Sequence, residues 1–273
     1  MAGMRFFIAG SLLFVIARFN SKEKLKPVHF RSAIIIGVLL LLGGNGGVVW
    51  AEQWVPSGIT ALLISTVPVW VAVISWVMPH GENPSAKNII GVILGFVGLF
   101  FLVSPHNLIS GGNVNLTGAL VLIAGALSWA GGSVYTKHAE VPKSKLTTVA
   151  LEMFFGGVAL IIVSYFFGDW NRFHPSLVTQ KSLLSFIYLI IFGSLIAFTA
   201  YIWMLDAAGP AKATTYAYVN PVVAVILGYM LASEELSLKM ILAAFIIIAA
   251  VVIIITDFTS LKKKLIIKNP GHF

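Results

Sequence analysis

Acidic residues are scarce in this chain, and their positions limit the chemistry it could perform. Only 10 of 273 residues are Asp or Glu, and two of these, Glu152 and Glu52, fall inside or beside long uncharged stretches. Glu152 lies about two helical turns into the apolar run 146–168. A carboxylate at that depth costs roughly 2.5–3.5 kcal/mol on membrane-insertion scales, so a functional reading comes first. An acid that binds and releases a proton there could couple solute movement to a proton gradient. The structural alternative is an acid close to the interface that pairs with Lys145. Glu52 stands two residues before Trp54, near the end of its run. It could line a vestibule or simply be solvated, and Arg5 on the same side could pair with it.

The remaining candidates are polar or aromatic groups at midspan. Ser65, Thr66, Thr214, Thr215, Tyr218 and Asn220 flank two prolines, Pro68 and Pro221. Trp70, Trp129, Tyr135, Tyr201, Trp203 and Tyr216 offer amphipathic rings, which suit a solute of mixed polarity. Trp50, Trp54 and Trp203 also fit the ordinary role of interface anchors, and the hydroxyls could equally bond neighbouring helices. Asn45 sits in the string GGNGG, where an unwound turn would expose carbonyls to a solute. The alternative there is close helix packing. Signals for covalent or metal chemistry are missing. There is no cysteine, and His29, His80, His106, His138, His174 and His272 show no metal-ligand spacing. No nucleophile elbow, paired intramembrane aspartates or phosphate loop occurs, so neither an enzyme nor a cofactor or metal is expected.

The elements that must position these residues are membrane helices. The chain is 58% hydrophobic and 10% charged, with mean hydropathy +0.95, more apolar surface than a soluble domain can hide. Nine apolar runs are read as helices: 3–19, 33–54, 57–79, 88–104, 117–137, 146–168, 183–205, 211–232 and 238–257. The fold class is therefore all-α and polytopic, with the lipid bilayer as surroundings. No cleavable signal peptide is visible. The net charge of +8 sits in short loops, as membrane insertion requires, and does not point to nucleic acid. Placing the loop with Arg18 and Lys26 in the cytoplasm puts 14 of 18 basic residues on that side. Arg5, Arg172, Lys181 and Lys239 remain outside. This orientation has the N-terminus out and the C-terminus in. The cluster Lys262–Lys264 in the tail then anchors topology, and could also touch anionic lipid.

The runs repeat. SGITALLISTVPVWVAVISWVMPHGE, from Ser57, aligns with PAKATTYAYVNPVVAVILGYMLASEE, from Pro210. Pro68 meets Pro221, Glu82 meets Glu235 and Trp50 meets Trp203, all at an offset of 153 (221 − 68). RFFIAG at Arg5 likewise resembles MFFGGV at Met153. Run 117–137 opens the second copy and has no counterpart in the first, which leaves four helices against five. An odd-helix unit turns the second copy upside down relative to the first. Inverted repeats of this kind build secondary transporters, with the solute site near midplane between the copies.

The strings WAEQWVPSGITALLISTVPVWVAVISW and AYIWMLDAAGPAKATTYAYVNPVVAVILGYMLASEELS resemble the two EamA repeats of the drug/metabolite transporter superfamily. Within it, the first string is similar to bacterial exporters of the YedA-like type. The resemblance implies ten helices in two inverted five-helix units, cytoplasmic termini and a central cavity working by alternating access. It divides the chain into a first repeat at 1–104 lacking its N-terminal helix, a second at 117–257 and a basic cytoplasmic tail at 258–273. A truncated or misplaced start is the expected reason, since Met1 stands where the family's second helix begins. The implied function is export of small metabolites, amino acids or drug-like compounds across the inner membrane. Glu152 and Glu52 would be coupling groups, and Pro68 and Pro221 hinges. Asn45, Ser65, Thr66, Trp70, Trp129, Tyr135, Tyr201, Thr215, Tyr218 and Asn220 would contact the small-molecule substrate. Two rivals are an inactive remnant or membrane interaction subunit, and an exchanger of phosphorylated sugars. The exchanger would want basic residues in the cavity, for which Arg5, Lys137 and Lys212 are the candidates. Gly91-x-x-x-Gly95 offers helix packing or a homodimer face.

Overall fold

The computed structural model describes residues 1–21, 23–55, 57–78, 85–103, 116–172, 178–220, 222–223 and 238–255, and among these every regular element is helical. In order they are α1 (Ala2–Asn20), α2 (Pro27–Ala51), α3 (Ser57–Ile64), α4 (Val67–Val77), α5 (Ala86–Val103), α6 (Leu116–His138), α7 (Lys145–Phe166), α8 (Gln180–Ala208), α9 (Pro210–Ala213) and α10 (Leu238–Ile255). A single turn at Asp169–Arg172 follows α7, and residues 216–220 are helical after α9. Five helices, α1, α2, α6, α7 and α8, are long and apolar enough to cross a bilayer. Pro221 and the tail at 258–273 lie outside the described residues.

Helix ends follow local chemistry. Pro27 opens α2, where its missing N–H is no loss. The Ser144 hydroxyl accepts from the Thr147 N–H at 3.4 Å to cap α7, and Thr179 accepts from Ser182 N–H at 3.2 Å to cap α8. Gly209 closes α8 at φ 78°, a left-handed position that glycine fills without strain.

Three of the expected runs take a different form. The run 57–79 is broken: α3 ends at Ile64, Ser65 and Thr66 form a turn, and α4 restarts with Pro68 in its first turn. Proline there has no helical N–H to withhold. The run 211–232 breaks in its first turns, at Thr214–Thr215. The run 33–54 begins earlier, at Pro27, and contains a π-helical segment over Val38–Gly46. The stretch around Asn45 is therefore widened rather than unwound. α8, the equivalent of α2, widens into a π-helix at the corresponding place, Leu189–Ile196. Long π segments are rare, and their presence in both copies marks them as part of the repeated architecture.

The copies are inverted. α1 and its repeat equivalent α7 pack antiparallel: Gly3 lies against Ile161, Gly157 against Phe7, and Gly10 against Phe154. Each step up one helix is a step down the other, so Ile8 stands level with its own equivalent, Gly156, which itself packs on Gly37 and Leu41 of α2. α5 and its equivalent α10 do the same, with Gly91 against Ile254 and Gly98 against Ile247. The Gly91-x-x-x-Gly95 motif packs inside the chain, since a Cβ at Gly95 would come within 3.0 Å of the Tyr218 ring. A third meeting joins the two breaks, where Ser65 Oγ donates to the Ala217 carbonyl at 3.0 Å. Self-complementary contacts between equivalent elements are what a two-fold relation requires. α6 completes the second copy and packs on α2, with Ser128 Oγ donating to the Leu39 carbonyl at 2.8 Å. Among the described residues no helix covers the matching face of α8. In an apolar 18-residue stretch of α8 only 17% of residues are buried, against 50% in that of α7.

The loops after α1, α6 and α8 share one face of the bundle. Lys26 pairs with Glu140 at 3.0 Å, and Lys145 with Asp206 at 2.6 Å. These pairs are exposed and contribute little stability. The Glu23 carboxylate accepts from the backbone N–H groups of Lys143 and Ser144 at 3.1 and 3.3 Å. The Lys143 N–H in particular holds that carboxyl below its ordinary range. This surface is called the basic face below.

Candidate functional site

A cavity of about 280 Å³ lies between the copies and opens at the basic face. The first copy contributes Pro68, Ala72 and Ser75 from α4, Met78 just past its end, and Lys87, Asn88 and Val92 from α5. The second contributes Val134, Lys137 and His138 from α6, the turn Ala208–Lys212, and Ile254 from α10. The broken helix brings Pro68 to this wall. An unbroken span would fill its own i→i−4 ladder along its length and leave no free turn at midspan.

At the break the hydroxyls are occupied. Ser65 Oγ lies 2.7 Å from the Ala61 carbonyl and 3.0 Å from that of Ala217, and Thr66 Oγ1 donates to Leu63 at 2.6 Å while accepting from Trp70 Nε1 at 3.1 Å. Thr214 donates to Pro210 at 2.9 Å and Thr215 to Lys212 at 2.7 Å. These groups satisfy backbone carbonyls freed by the turns, so their first role is to hold the breaks open.

Beside Val134, a closed polar ring joins α6 to α8. Trp129 Nε1 donates to Tyr201 Oη at 2.8 Å, Tyr201 Oη lies 2.6 Å from Ser133 Oγ, and Ser133 Oγ donates to the Trp129 carbonyl at 2.7 Å. The Tyr216 ring meets Tyr201 edge-on at 5.4 Å, and Tyr135 packs against the same core. Every donor in the ring has an acceptor, which fixes the aromatic wall in one geometry. Replacing Tyr201 by Phe would leave the Trp129 N–H buried without an acceptor. A loss of about 1–3 kcal/mol is expected, read as a lower melting temperature in detergent.

The charged candidates are arranged differently from expectation. Arg5 does not pair with Glu52. Its guanidinium turns inward and donates to Asn45 Oδ1 at 3.2 Å, while Glu52 is exposed at the end of α2. Glu152 does not pair with Lys145, whose ammonium is held by Asp206. Glu152 is fully buried, and neither of its carboxylate oxygens has a hydrogen-bond partner. Four residues separate it from Gly156 at the repeat axis, so it sits roughly 6 Å from that axis toward the basic face. Arg5 stands three residues from Ile8, roughly 4–5 Å to the other side. The axis thus has a cation on one side and an unpaired acid on the other.

Other expected solute contacts fall elsewhere. Asn220 and Trp203 are exposed. Tyr218 is fully buried against Gly95 and Phe96, with its hydroxyl unpartnered. Asn45 is committed to Arg5. Trp50 and Trp54 meet edge-to-face, ring centres 4.5 Å apart, near the end of α2 and away from the cavity. Sequence reasoning missed Ser133, Ser75, Ala72 and Lys87. The bias of basic residues toward one side includes Lys87 and Lys137, and it is the signal in the sequence for lysines at this mouth. Nothing in the sequence distinguished Ser133 from other midspan serines.

A family model described as the EamA-like transporter family matches residues 1–104 and 116–256, one match for each copy. The chain is 42% identical over 240 residues to YedA of Escherichia coli K12, an inner membrane transporter described as uncharacterized; the match covers 87% of this chain and 74% of that one. It is 27% identical over 255 residues to YoaV of Bacillus subtilis, an uncharacterized transporter, covering 90% and 83%. A crystal structure of another protein superposes with a TM-score of 0.74 at 18% identity, covering 92% of this chain and 86% of that one. That last likeness is one of fold.

Proposed function

The chain belongs to the EamA-like transporter family, and from that premise we propose that it exports small metabolites, amino acids or drug-like compounds by alternating access. The observation that carries the reading is the cavity of about 280 Å³ whose walls come from both inverted copies. A volume near the lower end of small-molecule sites suits a compact solute. Open at the basic face, it corresponds to one of the two states that rocking of the copies would exchange. The positive-inside bias makes that face cytoplasmic, so solute would enter from the cell interior. The broken helix at Ser65–Thr66 supplies a place for the change in angle, with Pro68 as its first rigid residue. Glu152 is the proton-linked group, and the Trp129–Ser133–Tyr201 ring is the fixed aromatic wall behind the solute.

The absence of cysteine makes the test direct. Ala72→Cys and Ala211→Cys would place one thiol on each wall of the mouth. A short bifunctional cross-linker joining them is expected to stop counterflow in proteoliposomes, and a reducible linker to restore it on reduction. An amino-acid and drug panel in the same counterflow assay identifies the solute. Undiminished counterflow in fully cross-linked protein would rule out rocking about this cavity.

A further inference from the structure

Arg5 carries its charge deep in the bundle. It stands roughly 4–5 Å from the repeat axis, which lies in the membrane midplane. The edge of the hydrocarbon layer is roughly 15 Å from that plane, so about 10 Å separates Arg5 from it. That gap is longer than an arginine side chain, and the guanidinium does not snorkel to water. It turns inward instead. Nη2 donates to Asn45 Oδ1 at 3.2 Å, the guanidinium carbon lies 4.3 Å from the centre of the Phe6 ring, and Nε is buried with no partner. Neither Asn45 nor Phe6 carries charge. The polar contacts of Arg5 all fall within the described residues, and among these no carboxylate reaches it. Glu152 is roughly 10 Å further along the bundle. A cation left unneutralised inside a membrane is costly, and by default it marks a solute path.

The surroundings indicate the ligand. Phe6 meets Phe198 edge-on at 6.3 Å, and Phe198 stands one turn before Tyr201 on α8. Trp129, bonded to Tyr201, lies against Gly44, the neighbour of Asn45. Phe6, Phe198, Tyr201 and Trp129 belong to one cluster, supplied by both copies. A guanidinium fork can give a carboxylate two parallel N–H bonds, and the rings suit an apolar or aromatic body. One guanidinium balances one carboxylate, whereas the second charge of a phosphate would stay uncompensated at this depth.

We propose that Arg5 binds the carboxylate of the exported solute, a small organic acid or amino acid with an apolar or aromatic body, and that Asn45 holds the guanidinium in place. This rests on the reading of the chain as a solute exporter and adds a site and the charge of the cargo. The headgroup of an anionic lipid shares the required chemistry, and the experiment separates the two.

The parent protein and Arg5→Gln are placed in phosphatidylcholine nanodiscs and titrated with 3-phenylpropionate and with its neutral amide. Binding is read by saturation-transfer NMR, less the signal from empty nanodiscs. The acid is expected to bind the parent about tenfold tighter than the amide. Arg5→Gln should bring the two within about twofold of each other. Arg5→Lys should keep a smaller preference than the parent, because it has the charge without the fork. Should Arg5→Gln not fold, phenylglyoxal on the parent gives a second measure. The acid should slow modification of Arg5, located by mass spectrometry, and the amide should not. No preference for the acid in the parent would overturn the proposal, as would a preference kept in Arg5→Gln or equal modification of Arg5 with acid and amide. Loss of the preference on adding phosphatidylglycerol would also overturn it, and would assign Arg5 to lipid. Binding requires no turnover, so a missing preference while cross-linking still blocks counterflow refutes only the Arg5 site.

Discussion

Glu152→Gln is expected to lower proton-driven transport in proteoliposomes by at least about tenfold, while the protein melts no lower than the parent. The two halves of this result have one cause. Glu152 is fully buried, and its oxygens have no hydrogen-bond partner. The nearest expected cation, Lys145, is held by Asp206 at 2.6 Å. An acid that served the fold would be paired, and removing it would strand its partner at a cost of about 3–5 kcal/mol. Here there is no partner to strand, so the neutral amide of similar shape should be tolerated or stabilising. What the amide cannot do is carry a proton. Counterflow without a proton gradient should therefore survive in Glu152→Gln, and Glu152→Asp should retain part of the driven rate. A full driven rate in Glu152→Gln would remove this residue from the mechanism. A large fall in melting temperature would instead make it a structural acid.

Gly10→Leu should cause the largest loss of stability of any single change considered, about 3 kcal/mol, seen as lost monodisperse protein after solubilisation. At Gly10 a Cβ would run into the backbone nitrogen of Phe154, and the Ala150 carbonyl oxygen would lie 2.9 Å away. Backbone atoms cannot turn aside as a flexible side chain can, so α1 and α7 would have to separate. Gly157→Leu should do the same from the other side, because its Cβ would meet the backbone of Phe7. Each glycine lets the backbone of the opposite helix approach on its own side of the crossing. Gly131→Ala is the control. No atom lies within 4 Å of a Cβ there, and alanine favours helix over glycine by up to about 1 kcal/mol. If Gly10→Leu melted like the parent, α1 and α7 would not close at this crossing.

Large parts of the fold could be read from residues in order. Apolar runs of bilayer length announce membrane helices because only a helix satisfies its backbone in lipid within one continuous run, whereas a barrel needs short alternating strands. The match of Pro68 with Pro221 and of RFFIAG with MFFGGV announces duplication. The odd helix 117–137 announces inversion, since the number of crossings decides which way the next copy points. These are one-dimensional properties, and they carried over into α1 packed antiparallel on α7 and Ser65 bonded to the carbonyl of Ala217. The basic loops likewise separated one face from the other.

Partner choice was not legible in this way. Arg5 had two polar residues within reach on its side, Glu52 and Asn45, and charge alone favoured the acid. The widened turn of α2 turned Asn45 inward and left Glu52 exposed. Lys145 stood seven residues before Glu152 on one helix, yet Asp206 from α8 took it. Neither outcome follows from spacing along one chain, because both depend on how a second helix is rotated against the first. The same holds for the mouth of the cavity. Lys87, Lys137 and Lys212 lie far apart in the sequence and meet only because inverted copies bring the ends of α5 and α6 and the short α9 to one face. Helix pattern, duplication and sidedness are written in the order of residues. The pairing of buried charges and the convergence of distant lysines are fixed by packing, where rotation about a helix axis decides which side chains meet.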